Sequence, residues 1–203
     1  RIDPIDMSNI FKFSKNPFQN ISELIEYINQ SHGSRLVVVN TVRSAAFLAM
    51  TLRSSRYDVL HLSTALTPDD REIAIKEVKR RLDPKTHYDS DWTLVATSCV
   101  ECGMNFSFHF GFREMCSLQS YLQLGGRVNR NNEYDNSSLT CFTASIDGFG
   151  FNPSFDIPKN VFKKQIQSGS LSALTITDAV SESFDMECKE MGGLSDGICK
   201  CER

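Results

Sequence analysis

The sequence contains no phosphate-binding loop of the form GxxxxGK[ST], and no cluster of acidic residues follows a strand in a way that would hold magnesium. No segment has the pattern of a secretory signal peptide, and no apolar run is long enough to span a membrane. These absences exclude a self-contained P-loop ATPase. Together with seven cysteines, an odd number, they predict a cytoplasmic protein with free thiols.

The chain also lacks a large excess of either charge, because its 203 residues carry a net charge of only -3. From residue 178 onward seven acidic residues face three basic ones, so the rest of the chain is close to neutral. A near-neutral body can still carry a local basic site. The sequence begins at Arg1 rather than Met, and we expect it to be a piece of a longer protein.

Alternating apolar patterns predict an α/β fold. Strands are predicted for residues 35–40, 57–63, 92–98 and 138–144, and helices for residues 20–33, 41–55, 66–84 and 117–130. Strands and helices that alternate at this spacing form a parallel, doubly wound sheet. The sequence thus divides into a lead-in (1–19), the sheet domain (20–146), and an irregular extension with a mobile acidic tail (147–203).

Ligands of such sheets bind beyond the carboxyl ends of the strands. Asn40 and Thr41 follow the first predicted strand, and Thr97 follows the third. Their hydroxyl and amide groups suit phosphate oxygens, although residues of this kind also cap helices throughout proteins.

The segment QLGGRVNR places Gln123, Arg127 and Arg130 at helical spacings of four and three residues, which puts all three on one face of a predicted helix. Gly125 and Gly126 cost a helix about 1 kcal/mol each relative to alanine, so a close packing contact is expected. Two interpretations remain open: a phosphate clamp, or a solvated helix end that pairs with nearby acids.

Four segments in order, VVVNTVRSA, LTPDDRE, LVATSCVECGMNF and QLGGRVNR, resemble motifs IV, IVa, V and VI of the second RecA-like lobe of superfamily-2 helicases. Within that group, the sequence is most similar to the helicase/nuclease of type I CRISPR interference, over roughly residues 20–160. The order of the four motifs is specific, whereas each motif alone is weak. The resemblance implies a RecA-like fold and an ATP-dependent motor.

On the nucleotide side, the resemblance implies that Arg127 and Arg130 are the catalytic arginines that reach the phosphates of ATP. Gln123, Gly103 and Asn105 would complete the nucleotide contacts. ATP with magnesium is the implied cofactor, held mainly by a first lobe that carries the Walker motifs. Without that lobe, the segment is expected to be inactive.

On the nucleic-acid side, the resemblance implies that Asn40, Thr41, Arg71 and Thr97 contact the phosphate backbone of a single strand, with DNA favoured. The implied partners are the first RecA-like lobe, an HD nuclease and the CRISPR surveillance complex. Two positions depart from the family pattern. Leu124 replaces a frequent arginine, and Asn105 replaces a frequent aspartate, which puts nucleotide affinity in question.

Three alternatives remain open: another superfamily-2 DNA or RNA helicase, a nucleotide- or partner-binding module without motor activity, and a thiol redox protein that uses Cys99 and Cys102. A lone CxxC is weak, and we expect no metal site. Phe149, Phe151 and Phe155 could stack on bases, although packing against the sheet is the more common role of such residues.

Overall fold

The computed structural model describes residues 11–14, 16–55, 57–86, 91–101, 103–130 and 132–201. Six strands form one sheet: β1 (Phe11–Phe13), β2 (Ser34–Val38), β3 (Val59–Leu62), β4 (Trp92–Ala96), β5 (Phe110–Glu114) and β6 (Ser138–Phe142). Their order is β1-β6-β5-β2-β4-β3, and every neighbouring pair is parallel. The predicted parallel α/β architecture is therefore confirmed.

Seven helices surround the sheet in the described part of the chain: α1 (Ile21–Asn29), α2 (Val42–Ser54), α3 (Pro68–Leu82), α4 (Leu118–Gly125), α5 (Asp156–Ser168), α6 (Ser170–Ala173) and α7 (Ile176–Cys201). The first three confirm helices predicted from sequence. Each begins at a side-chain cap, supplied by Asn20, Thr41 and Thr67 respectively.

The core has two halves, one on each face of the sheet. Leu24 and Ile28 of α1 and Leu48 and Leu52 of α2 pack on one face, against β-branched side chains such as Val37. On the other face, residues of α3, α4, α5 and α7 pack against the sheet. Strands β2 and β4 are buried along their whole length, which accounts for the apolar runs LVV and LVA within them.

Two strands were missed by sequence analysis. β1 has only three residues and is defined by its pairing with β6. β5 has the sequence FGFRE, in which a glycine and two charged residues interrupt the apolar pattern. Gly111 is needed there, because a Cβ atom would lie 2.5 Å from Cγ2 of Val128 and 2.7 Å from Cδ1 of Leu139.

Two further predictions are wrong. The arginine helix ends earlier than predicted: α4 stops at Gly125, and the backbone N–H of Gly126 donates to Leu122. Arg127 and Arg130 therefore lie on the turn after the helix and not on a helical face. The extension after residue 147, predicted to be irregular, is largely helical. Its helices α5 and α7 pack on each other. The mobility of the acidic tail stays a prediction.

No helix in the described ranges combines the length and the apolar character that are needed to cross a lipid bilayer.

Candidate functional site

The carboxyl ends of all six strands meet at one edge of the sheet, because the strands are parallel. Asn40 lies two residues beyond β2 on this edge. Its Nδ2 donates to the carbonyl of Met115 (2.9 Å), and its Oδ1 accepts from Nη1 of Arg113 (2.6 Å). Its backbone N–H donates to Oε2 of Glu114 (2.7 Å). Asn40 is thus fixed against β5, and its side-chain amide has one further N–H and one further lone pair that no described residue uses.

Thr41 is the N-cap of α2, since its Oγ1 accepts from the backbone N–H of Ser44 (3.0 Å). The loop after β6 closes over this helix end: the N–H of Gly150 donates to Oγ of Ser44 (2.9 Å). A Cβ atom on Gly150 would lie 2.5 Å from Oγ1 of Thr41, so only glycine permits this approach. The structure therefore assigns Thr41 a capping contact at the predicted edge.

Thr97 directly follows β4 and is 6% exposed. Its backbone N–H donates to the carbonyl of Leu62 (3.2 Å), and its Oγ1 lies 3.5 Å from Sγ of Cys99. Arg71 lies elsewhere, in the first turns of α3, where its half-buried side chain makes no described contact with the other predicted site residues. Of the four residues predicted to contact nucleic acid, Asn40, Thr41 and Thr97 therefore lie at one edge of the sheet, and Arg71 lies in α3.

The residues predicted to contact nucleotide come from the loop after β4, with Gly103 and Asn105, and from the end of α4 and the turn after it, with Gln123, Arg127 and Arg130. Phe108 and Val128 form a parallel bridge that joins the loops, with the N–H of Phe108 donating to the carbonyl of Arg127 (2.8 Å). Nη1 of Arg130 donates to Oδ1 of Asn105, and its backbone N–H donates to Oγ of Ser107 (3.1 Å). Asn105 is neutral, and no carboxylate in the described ranges pairs with Arg130.

Arg127 is held by the other loop, because its Nη2 donates to the backbone carbonyl of Glu101 (3.1 Å). Its Nε is buried and has no hydrogen-bond partner among the described residues. Gly103 adopts φ +74°, a left-handed conformation that favours glycine. Gln123 lies exposed in the last turn of α4.

A buried polar cluster at the same edge was not predicted. It consists of Asn40, Glu101, Arg113, Glu114 and Ser120, here called the edge network. Arg113 is 0% exposed, Glu101 is 5% exposed, and Nε of the arginine lies 3.0 Å from Oε1 of the glutamate. The N–H is not aligned with that oxygen, so the contact is ionic and not a hydrogen bond. An Arg–Glu pair inside an otherwise apolar strand was the sequence signal for it.

The remaining bonds of the edge network tie three elements together. Oε2 of Glu101 accepts from Oγ of Ser120 in α4 (2.7 Å), and Nη1 of Arg113 donates to Asn40 and to the carbonyl of Glu114 (3.1 Å). Burial raises the pKa of Glu114, while the Asn40 N–H and the charge of Arg113 act in the opposite direction. The network therefore joins the ends of β2 and β5 to the loop after β4.

The buried cysteines beside the edge network are poor nucleophiles. Burial raises the pKa of Cys116 to about 12 and that of Cys141 well above its ordinary value, so both stay protonated at neutral pH. Cys99 is a free thiol, and Cys102 lies outside the described residues. Within the described ranges no group of three or more His, Cys, Asp or Glu side chains could hold a metal ion.

Two of the three phenylalanines after β6 pack against the fold, and base stacking by the third stays a prediction. Phe149 packs edge-on against Phe47, and Phe155 packs against the core beneath Arg113. Phe151 is 70% exposed. Leu124 is fully buried in the core, so an arginine in the same rotamer would have to bury its charge.

The chain is similar to known proteins both in sequence and in fold. Residues 31–133 match the family described as CRISPR-associated nuclease/helicase Cas3, C-terminal. A CRISPR-associated nuclease/helicase Cas3 of Haloferax volcanii is 28% identical over 116 residues, which cover 57% of this chain and 11% of that protein. The chain therefore spans about a tenth of the length of this relative.

Two solved structures show the same fold. The crystal structure of T. fusca Cas3 superposes with a TM-score of 0.71 at 12% identity and covers 91% of this chain and 26% of that chain. A chain of a CRISPR RNA-guided surveillance complex, pre-nicking, superposes with a TM-score of 0.68 at 12% identity and covers 95% and 27%. Because the family match extends over slightly more than half of its residues, the chain belongs to the Cas3 C-terminal family, as its second RecA-like helicase lobe.

Proposed function

We propose that this chain is the C-terminal lobe of an ATP-dependent helicase or translocase that acts on single-stranded DNA in CRISPR interference. The proposal rests most directly on Arg127 and Arg130, which the loop after β4 holds through the carbonyl of Glu101 and the side chain of Asn105. Among the described residues, Arg127 donates to a neutral carbonyl and Arg130 to a neutral amide, and neither has an acidic partner. Both charges would therefore be available to the phosphates of a nucleotide.

The arginines would act on ATP bound to a first lobe. The T. fusca relative is known with AMPPNP and with ADP, which supports a nucleotide as the ligand. Arginines that approach a transferring phosphoryl group from outside stabilise its negative charge in the transition state. The described residues do not form a magnesium site, so no step through magnesium is assigned to this chain.

Asn40, Thr41, Thr97 and Arg71 would hold the single strand through its phosphates. Asn40 retains one N–H for such a contact, and α2 presents its N-terminus beside it. Thr41 and Thr97 already use their hydroxyl groups within the chain, so their contribution would come through their remaining capacity as donors and acceptors. Alternation between a closed and an open arrangement of two lobes would then move the lobe along the strand.

The partners follow from the same proposal. A first RecA-like lobe would complete the nucleotide site, an HD nuclease would belong to the same protein, and the surveillance complex would deliver the DNA. A structural relative in such a complex supports the last partner. The protein would act in the cytoplasm, where the DNA lies.

The proposal is tested with the complete protein by measuring ATP hydrolysis with and without single-stranded DNA. Wild-type protein should hydrolyse ATP faster with DNA, and Arg130→Ala should abolish turnover without loss of folding. Arg80→Ala is the matched control, because Arg80 is a half-exposed arginine of α3 paired with Glu77. Normal turnover in Arg130→Ala would reject the assigned role, and equal stimulation by RNA would redirect the proposal to an RNA motor.

A further inference from the structure

The edge network connects the two sides of the proposed site. The backbone carbonyl of Glu101 accepts from Arg127, and its carboxylate pairs with Arg113. Arg113 in turn donates to Asn40 at the end of β2. Three successive contacts thus lead from an arginine on the nucleotide side to an amide on the nucleic-acid side, with both ionic groups buried.

Stability alone does not explain such a pair. Removing two charges from water costs several kcal/mol per ion, and apolar replacements of buried pairs are often neutral or stabilising. The guanidinium is also incompletely bonded, since Nε and Nη2 of Arg113 have no hydrogen-bond partner among the described residues. A buried cation with spare donors can exchange one set of partners for another.

We infer that the Glu101–Arg113 pair is a positioning element that makes the placements of Arg127 and Asn40 interdependent. A shift of the loop that holds Arg127 moves the Glu101 main chain, and the ion pair passes this shift to Arg113 and to the amide it holds. Nucleotide and single-stranded DNA then change each other's affinity through this lobe. The inference rests on the proposed function, because it takes both ligands from there.

A path of contacts does not by itself establish that two ligands are coupled, so the coupling is measured directly. The measurement is the affinity of the complete protein for an oligo-dT strand, with and without AMPPNP, and its result is the ratio of the two dissociation constants. Wild-type protein should give a ratio of at least about fivefold. Glu101→Gln combined with Arg113→Met removes both charges and should bring the ratio to within about twofold of one.

The matched control is Lys164→Met combined with Glu190→Gln, which removes an exposed ion pair between α5 and α7 and should keep the wild-type ratio. Because the paired replacement could fail to fold, Arg113→Lys is a second variant. Lysine keeps the charge but cannot reach Glu101 and Asn40 with a planar fork, so this ratio should also fall. Denaturant midpoints establish that each variant is folded.

The possible results distinguish failure of the proposed function from failure of the positioning role. If wild-type protein binds neither AMPPNP nor the strand, the proposed function fails. If it binds both with a ratio of one, or if folded variants keep the wild-type ratio, the inference is overturned while the proposed function stands. Loss of the ratio in the network variants, with the control unchanged, supports the positioning role.

Discussion

Arg127 donates from Nη2 to the backbone carbonyl of Glu101, 3.1 Å away, so the loop after β4 holds an arginine of the loop after α4. The acceptor is the main-chain oxygen of Glu101, whose carboxylate pairs with Arg113. The bond fixes one end of the planar guanidinium and leaves its Nε directed elsewhere. This arrangement depends on the fork geometry of arginine and not merely on its charge.

Arg127→Lys should therefore lower ATP turnover by about 10³-fold in the complete protein, the lower end of the range for arginine fingers. Lysine retains the positive charge but cannot bond the Glu101 carbonyl and a phosphate in the same planar geometry. The measurement is the steady-state ATPase rate at saturating DNA, with Arg80→Lys as the exposed control. Near wild-type turnover in Arg127→Lys would show that charge alone suffices.

Gly103→Ala should destabilise the chain by about 1–2 kcal/mol, because φ +74° is a left-handed conformation that a side chain disfavours. Apart from its chain neighbours, no described residue has an atom within 4 Å of the new Cβ, so the expected cost is that of the backbone conformation.

The matched control for Gly103→Ala is Gly126→Ala. Gly126 has φ -68°, and its new Cβ would meet only the carbonyl of Gln123 at an ordinary 3.5 Å. Urea denaturation of both variants measures the difference. Equal free energies of unfolding would contradict the strain at residue 103.

Glu114→Gln should change how stability depends on pH. Burial raises the pKa of Glu114 in the folded state above its ordinary 4.5, so the native state favours the protonated form. Its stabilising contribution is fully present below the unfolded pKa and is lost as the pH rises through the folded pKa.

Glutamine imitates the protonated carboxyl group and can still accept from the Asn40 N–H. The variant should therefore be at least as stable as wild type at pH 7, and the difference should vanish as the pH falls below 4.5. Denaturant unfolding at several pH values measures it. A variant that is less stable at pH 7 would mean that the ionised carboxylate contributes favourable pairing with Arg113.

The sequence predicts those parts of the fold that local patterns determine. Strands β2 and β4 are buried along their whole length and contain the apolar runs LVV and LVA. Strand β5 does not, because Gly111 is required by contacts with Val128 and Leu139, and Arg113 is neutralised by Glu101. These partners are distant in the chain or depend on the folded sheet, so no local pattern reveals them.

The candidate site, like the fold, was predicted only in part. The order of the motifs predicts which residues share the edge, and the structure brings Arg127, Arg130, Gly103 and Asn105 into two adjacent loops. The helical face predicted for the arginines was wrong, because the Gly-Gly pair ends α4 and Val128 joins a bridge with Phe108. The edge network could not be predicted, since Arg113 and Asn40 are 73 residues apart.

The central claim is that this lobe supplies arginines to a nucleotide held by another lobe, and ATP hydrolysis by the chain alone tests it most directly. The account predicts no turnover by the chain, and DNA-stimulated turnover when a P-loop-containing first lobe is added, dependent on Arg127 and Arg130. Hydrolysis at a motor's rate by the chain alone, or stimulated turnover that survives loss of both arginines, would contradict it.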